Sequence, residues 1–348
     1  WCEGLTTYCA DYLYKQQESA EDAAKYRRQI DQDFTVYVHR GNDFPLREFT
    51  SRTETFTRAV GYGKSAMLFH MLRQEVGDGD FWDALGRFYR DNLWQKASWA
   101  DIQAAFEAET GEDLGWFFHQ WVEKTGAPRL QVSDAEVLDI EGQQVIRMNI
   151  RQTEGDFRVK VPVVLYFDDG EEVHWYDIHP GDNQVRLSVE KKPAAVAIDP
   201  EFNVFRFLDR TEYPATLSEV MGAENQLIIL PTGAGPELLE AYRQMAETFN
   251  RSGKAEIVTD ESATEEQLSE SSLLILGKPG ENKVYQALEN KGLDWNDYIR
   301  YGNAADMFQL RGEEFKGSGA ASMIAVRNPM NPMHSVVAFQ AGDPQEVL

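Results

Sequence analysis

The stretch that decides the fold of the N-terminal part of the chain is Val60-Gly61-Tyr62-Gly63-Lys64-Ser65-Ala66-Met67-Leu68. Apolar side chains continue beyond it at 71 and 72, which is the spacing of one buried face of a helix. The stretch therefore predicts the start of a helix, with two glycines that loosen the backbone around Tyr62. A tyrosine beside two glycines is, by itself, typical of a packed aromatic residue with a solvated hydroxyl group.

A second stretch, Trp1-Cys2-Glu3-Gly4-Leu5-Thr6-Thr7-Tyr8, opens the chain. It begins a set of apolar side chains at helical spacing, predicted to form one stripe: Leu5, Tyr8, Cys9, Tyr12 and Leu13. The pattern predicts a helix with Glu3 in its first turn. A glutamate there often serves only to stabilise the helix dipole. The residues alone thus leave both a structural and a functional interpretation open for Glu3 and Tyr62.

Taken together, the two stretches resemble the gluzincin zinc aminopeptidases, the family of aminopeptidase N and leukotriene hydrolase. The resemblance continues through Phe117-Phe118-His119-Gln120-Trp121-Val122 and then Gly126-Ala127-Pro128-Arg129-Leu130, and covers about residues 1–210. It implies that Glu3 is a zinc ligand. It also implies that Tyr62 is a catalytic residue that donates a hydrogen bond to the tetrahedral oxyanion.

Two motifs of that family do not occur in this sequence: the zinc-binding His-Glu-x-x-His, and the Gly-x-Met-Glu-Asn that holds the free amine of the substrate. No two of its six histidines are four positions apart: His39, His70, His119, His174, His179 and His334. The resemblance therefore implies the C-terminal portion of a longer enzyme, with the other zinc ligands and the general base upstream of Trp1. We expect the isolated chain to bind zinc weakly and to be inactive.

The activity implied by the resemblance is zinc-dependent removal of N-terminal residues from peptide substrates. Two alternatives stay open at this point. One is a non-catalytic interaction or scaffold protein derived from the same fold, and the other is a related gluzincin of different specificity. The presence of both Glu3 and Tyr62 favours an enzyme, because a scaffold needs neither residue.

Composition excludes several other classes of function. The 348 residues include 42% hydrophobic and 12% aromatic residues, as in globular proteins, and carry a formal net charge of -24. That charge argues against nucleic acid and anionic membrane surfaces as partners. No apolar run reaches the length of a membrane span.

Cys2 and Cys9 would lie roughly 10 Å apart on one helix, too far for a disulfide bond. The sequence carries no signal for an oligomeric state or a cellular compartment.

Changes in periodicity predict a multi-domain protein. Residues 1–126 are almost entirely helical in pattern, apart from a loop predicted at 31–49, and the resemblance implies the α-helical, thermolysin-like C-lobe of a catalytic domain. Residues 127–208 alternate with a period of two, which predicts a small antiparallel β-sandwich of about seven strands. A linker is predicted at 209–224.

Residues 225–348 alternate between strand and helix patterns, which predicts an α/β accessory domain with a mainly parallel sheet. A turn, Gly233-Ala234-Gly235, precedes its first long helix. Such a turn could hold an anion. It is not a full dinucleotide-binding motif and no Gly-Lys-Ser/Thr follows, so an ordinary turn is favoured. No activity is assigned to this domain.

Overall fold

The computed structural model describes residues 1–140, 143–250, 253–295, 299–301, 307–310, 313–316 and 321–347. The chain divides into two compact units, Trp1–Asp209 and Arg210–Leu348. The first contains helices followed by antiparallel sheets, and the second contains a mixed sheet with helices. None of the helices in the described ranges is long and apolar enough to cross a membrane.

The first helical run contains helix α1, a π-helical segment and helix α2: Cys2–Thr6, Thr7–Tyr12 and Leu13–Glu18. A π-helical turn contains more residues than an α-helical turn, so it shifts the faces of the helix that follows. Tyr8 and Tyr12 are buried, whereas Cys9 is exposed. The prediction that Cys9 belongs to the buried stripe was wrong for this reason. Both cysteines are free thiols, as expected.

Helix α3, Ala20–Tyr37, begins where the Ser19 side chain accepts a hydrogen bond from the Asp22 amide at 2.9 Å. The loop predicted for 31–49 was therefore wrong in its first part, because the helix continues to Tyr37. Its inner face explains the continuation, since Ile30 and Phe34 are buried in the core. A short 3₁₀ turn at Leu46–Glu48 follows.

Tyr62 lies inside a helical run, and not at its start as predicted. The run contains helix α4, a π-helical segment and helix α5: Thr55–Arg58, Ala59–Lys64 and Ser65–Val76. It starts earlier because Glu54 and Thr57 form a capping box that satisfies the first backbone amides. Gly61 and Gly63 both lie within the π-helical segment.

Three further helices complete the helical part: α6 Asp78–Asp91, α7 Trp99–Thr110 and α8 Gly115–Phe118. A π-helical segment, His119–Glu123, extends α8. The capping box between Ser98 and Asp101 starts α7. Gly111 ends α7 with a φ of 73°, the left-handed conformation that glycine adopts readily.

The β part of the first unit consists of two three-stranded antiparallel sheets, in the orders β1-β2-β5 and β4-β3-β6. The strands are β1 Arg129–Ile140, β2 Gln143–Glu154, β3 Val159–Phe167, β4 Gly170–Ile178, β5 Gly181–Val189 and β6 Ala195–Ile198. The sequence predicted about seven strands, and the described residues form six. Buried side chains of β2 and β3 join the helical residues in one hydrophobic core.

The segment after β6 fastens the helices to the sheets. Asp199 and Phe202 have positive φ angles of 43° and 57°. The Asp199 carboxylate stabilises this loop by accepting hydrogen bonds from the Asn203 amide at 2.6 Å and from the Arg206 Nε at 3.0 Å. Arg27 of α3 donates in turn to the backbone carbonyl groups of Glu201 and Phe202. The two parts are therefore held by directed bonds as well as by packing.

The second unit is built on a five-stranded sheet in the order β13-β14-β9-β7-β8. Its strands are β7 Gln226–Leu230, β8 Glu256–Thr259, β9 Ser272–Leu276, β13 Ser322–Arg327 and β14 Ser335–Gln340. A separate three-stranded sheet is formed by β10 Ile299–Tyr301, β11 Met307–Leu310 and β12 Glu313–Lys316. Four strands of the larger sheet pair in parallel, and β13 pairs antiparallel with β14. The sheet is thus mixed but mainly parallel, as predicted, since three of its four strand pairings are parallel.

The helices of the second unit are α9 Leu217–Gly222, α10 Pro236–Phe249, α11 Glu265–Glu270, α12 Val284–Glu289 and α13 Pro344–Val347. Helix α9 lies within the segment predicted as a linker, 209–224. Its buried Glu219 accepts hydrogen bonds from Arg327 at 2.9 Å and from Ser335 at 3.1 Å. This part of the segment is therefore bound to the sheet of its own unit.

Candidate active site

Glu3 and Tyr62, which are 59 positions apart in the sequence, meet in the structure. The Tyr62 hydroxyl group lies close enough to the Glu3 carboxylate for that carboxylate to raise its pKa. Glu3 lies exposed in the first turn of α1, and Tyr62 is half-buried in the π-helical segment Ala59–Lys64. Single π-helical turns inside α-helices occur frequently at functional sites. The two residues singled out from the sequence thus share one location.

Close packing at Gly4 fixes the distance between the two helices. A Cβ atom on Gly4 would lie 1.8 Å from the Ser65 Oγ, well inside van der Waals contact. Only glycine therefore allows α1 to approach the start of α5 this closely. This approach places Glu3, the neighbour of Gly4, beside Tyr62.

A second glycine positions the ring of Tyr62. A Cβ atom on Gly61 would lie 2.2 Å from the Phe49 ring, which in turn meets the Tyr62 ring edge to face at 5.9 Å. Glycine is therefore required at position 61 for close packing. Backbone flexibility, as predicted from the sequence, is not needed to explain a glycine here, because Gly61 does not adopt a positive φ angle.

Lys64 fixes the other end of the Tyr62 turn. Its side chain is fully buried, and its Nζ donates to the carbonyl groups of Lys124 at 2.9 Å and of Gly126 at 3.1 Å. Burial lowers the pKa of Lys64 to about 8, and the nearby charge of Asp43 opposes that shift. Lys64 thereby ties the Tyr62 turn to the junction between the helices and the sheets.

Glu3 and Tyr62 line a cavity of about 260 Å³. Its other charged residues are Asp11, Asp33, Arg52 and Arg58, and Tyr26 also contributes to the wall. Because these side chains come from α1–α2, from α3 and from the segment before Tyr62, the cavity is a meeting point of separate elements. It is a concave, polar site of a size that admits a small ligand.

The electrostatics of the cavity keep the Tyr62 hydroxyl group protonated. Partial burial raises the pKa of Tyr62, and the nearby Glu3 carboxylate raises it further. The positive charges of Arg52 and Arg58 oppose this rise. Tyr62 is therefore a hydrogen-bond donor at neutral pH.

The remaining ionisable groups are partly paired with one another. Arg58 faces Asp33 with 3.9 Å between the Nη1 and Oδ2 atoms, and Tyr26 donates to Asp11 at 3.5 Å. Burial raises the pKa of Asp33, while the hydrogen bond from Gln29 and the charge of Arg58 lower it. Burial also raises the pKa of Tyr26 to about 12, together with the charge of Asp11.

Sequence reasoning did not find these additional lining residues. Arg58 precedes Tyr62 by one helical turn, so the i, i+4 spacing could have placed it on the same face. Tyr26, Ile30 and Asp33 also share one face of a helix by spacing. This face was not recognised, because a loop was predicted from residue 31 onward.

Glu3 is the single metal-ligand candidate predicted from the sequence. The described residues do not complete a set of metal ligands around it. No group of three or more His, Cys, Asp or Glu side chains able to hold a metal ion occurs within the described ranges. A zinc site usually has three or four protein ligands. The described part of this chain therefore contains no complete zinc site.

Comparisons with known proteins point to aminopeptidases over part of the chain. No protein-family model matches it. It is 32% identical over 84 residues to aminopeptidase N of Lactococcus lactis subsp. lactis, covering 24% of this chain and 10% of that protein. It is 28% identical over 74 residues to tricorn protease-interacting factor F2 of Thermoplasma volcanium, covering 21% of this chain and 10% of that protein.

One solved structure that it resembles is Legionella pneumophila aminopeptidase A in complex with aspartic acid. The match has a TM-score of 0.41 and 18% sequence identity, and covers 60% of this chain and 24% of that one. This chain spans about a tenth of the length of the curated relatives it matches. The resemblance inferred from the sequence is thus supported in part, as a partial similarity to aminopeptidases.

Proposed function

We propose that this chain is part of a zinc-dependent aminopeptidase, in which Tyr62 donates a hydrogen bond to the oxyanion and Glu3 is a zinc ligand. The observation that carries the proposal is the contact of Glu3 with Tyr62 in one cavity. The partial similarity to aminopeptidase N points to the same chemistry. The remaining zinc ligands are expected on a His-Glu-x-x-His helix, a motif that this sequence does not contain.

Tyr62 has the properties that an oxyanion donor requires. Its raised pKa keeps the proton on the hydroxyl group, and its half-buried position leaves that group open to the cavity. A preorganised donor of this kind contributes about 3 kcal/mol to stabilisation of the transition state. When a peptide carbonyl group enters, the hydroxyl group donates a hydrogen bond to the carbonyl oxygen.

Glu3 has the properties of a ligand held in place by its neighbours. Its carboxylate is exposed, its helix is fixed by the contact of Gly4 with Ser65, and it lines the same cavity as Tyr62. The chemistry that zinc supplies when bound is polarisation of a carbonyl group and a lower pKa of water.

The proposal is tested with Glu3→Ala in the intact protein. Loss of a ligand should lower both the zinc content, measured by mass spectrometry after dialysis, and the hydrolysis of an aminoacyl-anilide. The matched control is Glu18→Ala, because Glu18 is exposed and its partner Lys15 lies on the same helix.

Two results would contradict the proposal. One is a Glu3→Ala variant with unchanged zinc content and rate. The other is a folded wild-type protein that hydrolyses no peptide or anilide, which would favour the non-catalytic interaction protein.

A further inference from the structure

The charged groups of the cavity are distributed unevenly along the chain. Its three carboxylates belong to helical elements, namely Glu3 on α1, Asp11 on the π-helical segment after it, and Asp33 on α3. Arg52 lies in the segment that precedes α4. The cavity therefore combines acidic groups from the first helices with a cation from a different element.

Most of these charged groups already have a partner inside the cavity. Tyr26 donates to Asp11, and Arg58 faces Asp33. Arg52 is exposed, and within the described ranges its guanidinium group takes part in neither a hydrogen bond nor an ion pair. Arg52 is thus the cation of this cavity that is available to a ligand.

The backbone that carries Arg52 is held in place. The amides of Thr53 and Glu54 both donate to the Thr57 Oγ1, each at 3.0 Å, and Thr57 is buried. These bonds fix the residue that follows Arg52 to the first turn of α4. The guanidinium group therefore extends from an ordered segment toward a cavity that also contains the Tyr62 hydroxyl group.

A guanidinium group presents a planar pair of N–H donors that matches a carboxylate, and it stays charged at all relevant pH values. We propose that Arg52 is a specificity-determining residue that binds a carboxylate of a short peptide substrate. The inference rests on the proposed function, since it names the substrate class of that same site. The volume of about 260 Å³ suits short peptides, whose ammonium group meets the acidic wall and whose carboxylate meets Arg52.

The carboxylate has two possible sources, and matched peptide pairs separate them. Ala-Ala and Ala-Ala-amide differ only in the C-terminal carboxylate, whereas Ala-Asp-amide and Ala-Asn-amide differ only in a side-chain carboxylate. Steady-state kinetics of the intact protein with all four peptides is compared with the kinetics of Arg52→Gln. The control is Arg90→Gln, because Arg90 lies on α6 and does not line the cavity.

We expect kcat/KM to be about tenfold or more higher for the acid of at least one pair, because a charge-assisted hydrogen bond is lost with the amide. That preference should disappear in Arg52→Gln and persist in Arg90→Gln. Cleavage of all four peptides without a carboxylate preference would overturn the inference and leave the proposed function intact. A preference that survives in Arg52→Gln would also overturn it.

A protein that cleaves none of the peptides would contradict the proposed function, and binding then decides the role of Arg52. Isothermal titration calorimetry with Ala-Ala and Ala-Ala-amide measures whether the acid binds at least tenfold more tightly. Loss of that difference in Arg52→Gln alone would support Arg52 as the carboxylate-binding residue. Equal affinities for acid and amide in the wild-type protein would overturn it.

Discussion

The cavity around Tyr62 and the carboxyl edge of the sheet in the second unit contain similar residues and use them differently. At the sheet edge, Asp260 accepts hydrogen bonds from the amides of Thr232 at 3.0 Å and of Lys283 at 2.8 Å. In the cavity, Glu3 lies beside a tyrosine hydroxyl group, and Arg52 takes part in no hydrogen bond or ion pair within the described ranges. At the sheet edge, backbone amides occupy the Asp260 carboxylate. In the cavity, charged side chains remain available to a ligand.

The glycines of the two regions differ in the same way. Gly233 donates its amide to the Glu281 carbonyl group at 2.9 Å, so that amide is not free to hold an anion. A Cβ atom there would lie 2.9 Å from the same oxygen. The turn Gly233-Ala234-Gly235 thus closes the sheet edge, while Gly4 and Gly61 bring together the elements that carry Glu3 and Tyr62. Carboxyl edges of parallel strands often bind ligands, but composition alone does not make this one a site.

The largest effect is expected for Tyr62→Phe in the intact enzyme. The substitution keeps the ring against Phe49 and removes the donor, so kcat should fall by roughly a hundredfold or more with little change in KM. Zinc content should stay the same. Steady-state kinetics on an aminoacyl-anilide measures this, with Tyr14→Phe as the control because Tyr14 is 67% exposed. Near-full kcat in Tyr62→Phe would make Tyr62 a packing residue.

Asp260→Ala should affect stability and leave activity unchanged. It removes the acceptor of two backbone amides at a nearly buried position, which should cost about 3 kcal/mol of unfolding free energy. Hydrogen exchange in β7 and β9 should accelerate, whereas Glu261→Gln, at an exposed ion pair, should change it little. A fall in kcat without a change in stability would break the contrast between the two regions.

Gly61→Ala tests how closely packing determines the position of Tyr62. The added methyl group overlaps the Phe49 ring, so we expect a loss of about 2 kcal/mol in unfolding free energy and a reduced kcat. Gly63→Ala is the matched variant, because its Cβ atom would lie 3.1 Å from an Ile30 methyl group and should be tolerated better. Thermal unfolding and kinetics compare the two. Equal effects would show that the Phe49 contact does not position Tyr62.

Near neutral pH the smallest effect is expected from His70, which acts on acid stability. Burial lowers the pKa of His70 to about 3, and the charges of Arg27 and Arg73 contribute, while the hydrogen bond with Asn203 opposes the shift. The folded pKa lies below the unfolded value of about 6.5, so the unfolded state binds the proton first and stability falls as the pH drops through this window.

The His70 contribution should amount to about 1.4 kcal/mol per pH unit between about pH 6.5 and pH 3. Urea unfolding at several pH values measures it, and His70→Gln should flatten that dependence. A variant with the wild-type slope would assign the acid sensitivity to other groups.

The sequence predicted what depends on short stretches. The Tyr62 stretch and the alternating strand and helix pattern of residues 225–348 are both local patterns, and each corresponds to elements of the structure. A π-helical turn has no distinctive amino-acid composition, so the sequence could not predict it. For that reason the exposure of Cys9 was not predicted. Asp33 was not predicted to line the cavity, because the sequence predicted a loop from residue 31, whereas α3 continues to Tyr37.

The mixed sheet could have been foreseen in one respect. Only 328–334 separate β13 from β14, too short a connection for a parallel crossover, so this pair had to be antiparallel. The strand order β13-β14-β9-β7-β8 is different, because it depends on pairing between distant segments. No local pattern encodes such an order.

Lys64 has a consequence for engineering of the chain. The turn at Gly126, with a φ of 76°, lies between a helix and a strand, where insertions are ordinarily tolerated. Here the carbonyl groups of Lys124 and Gly126 hold a buried ammonium group two residues from Tyr62. An added residue would move those carbonyl oxygens away from Lys64 and displace Tyr62. Tags, new termini and fusion partners should therefore be introduced at other positions.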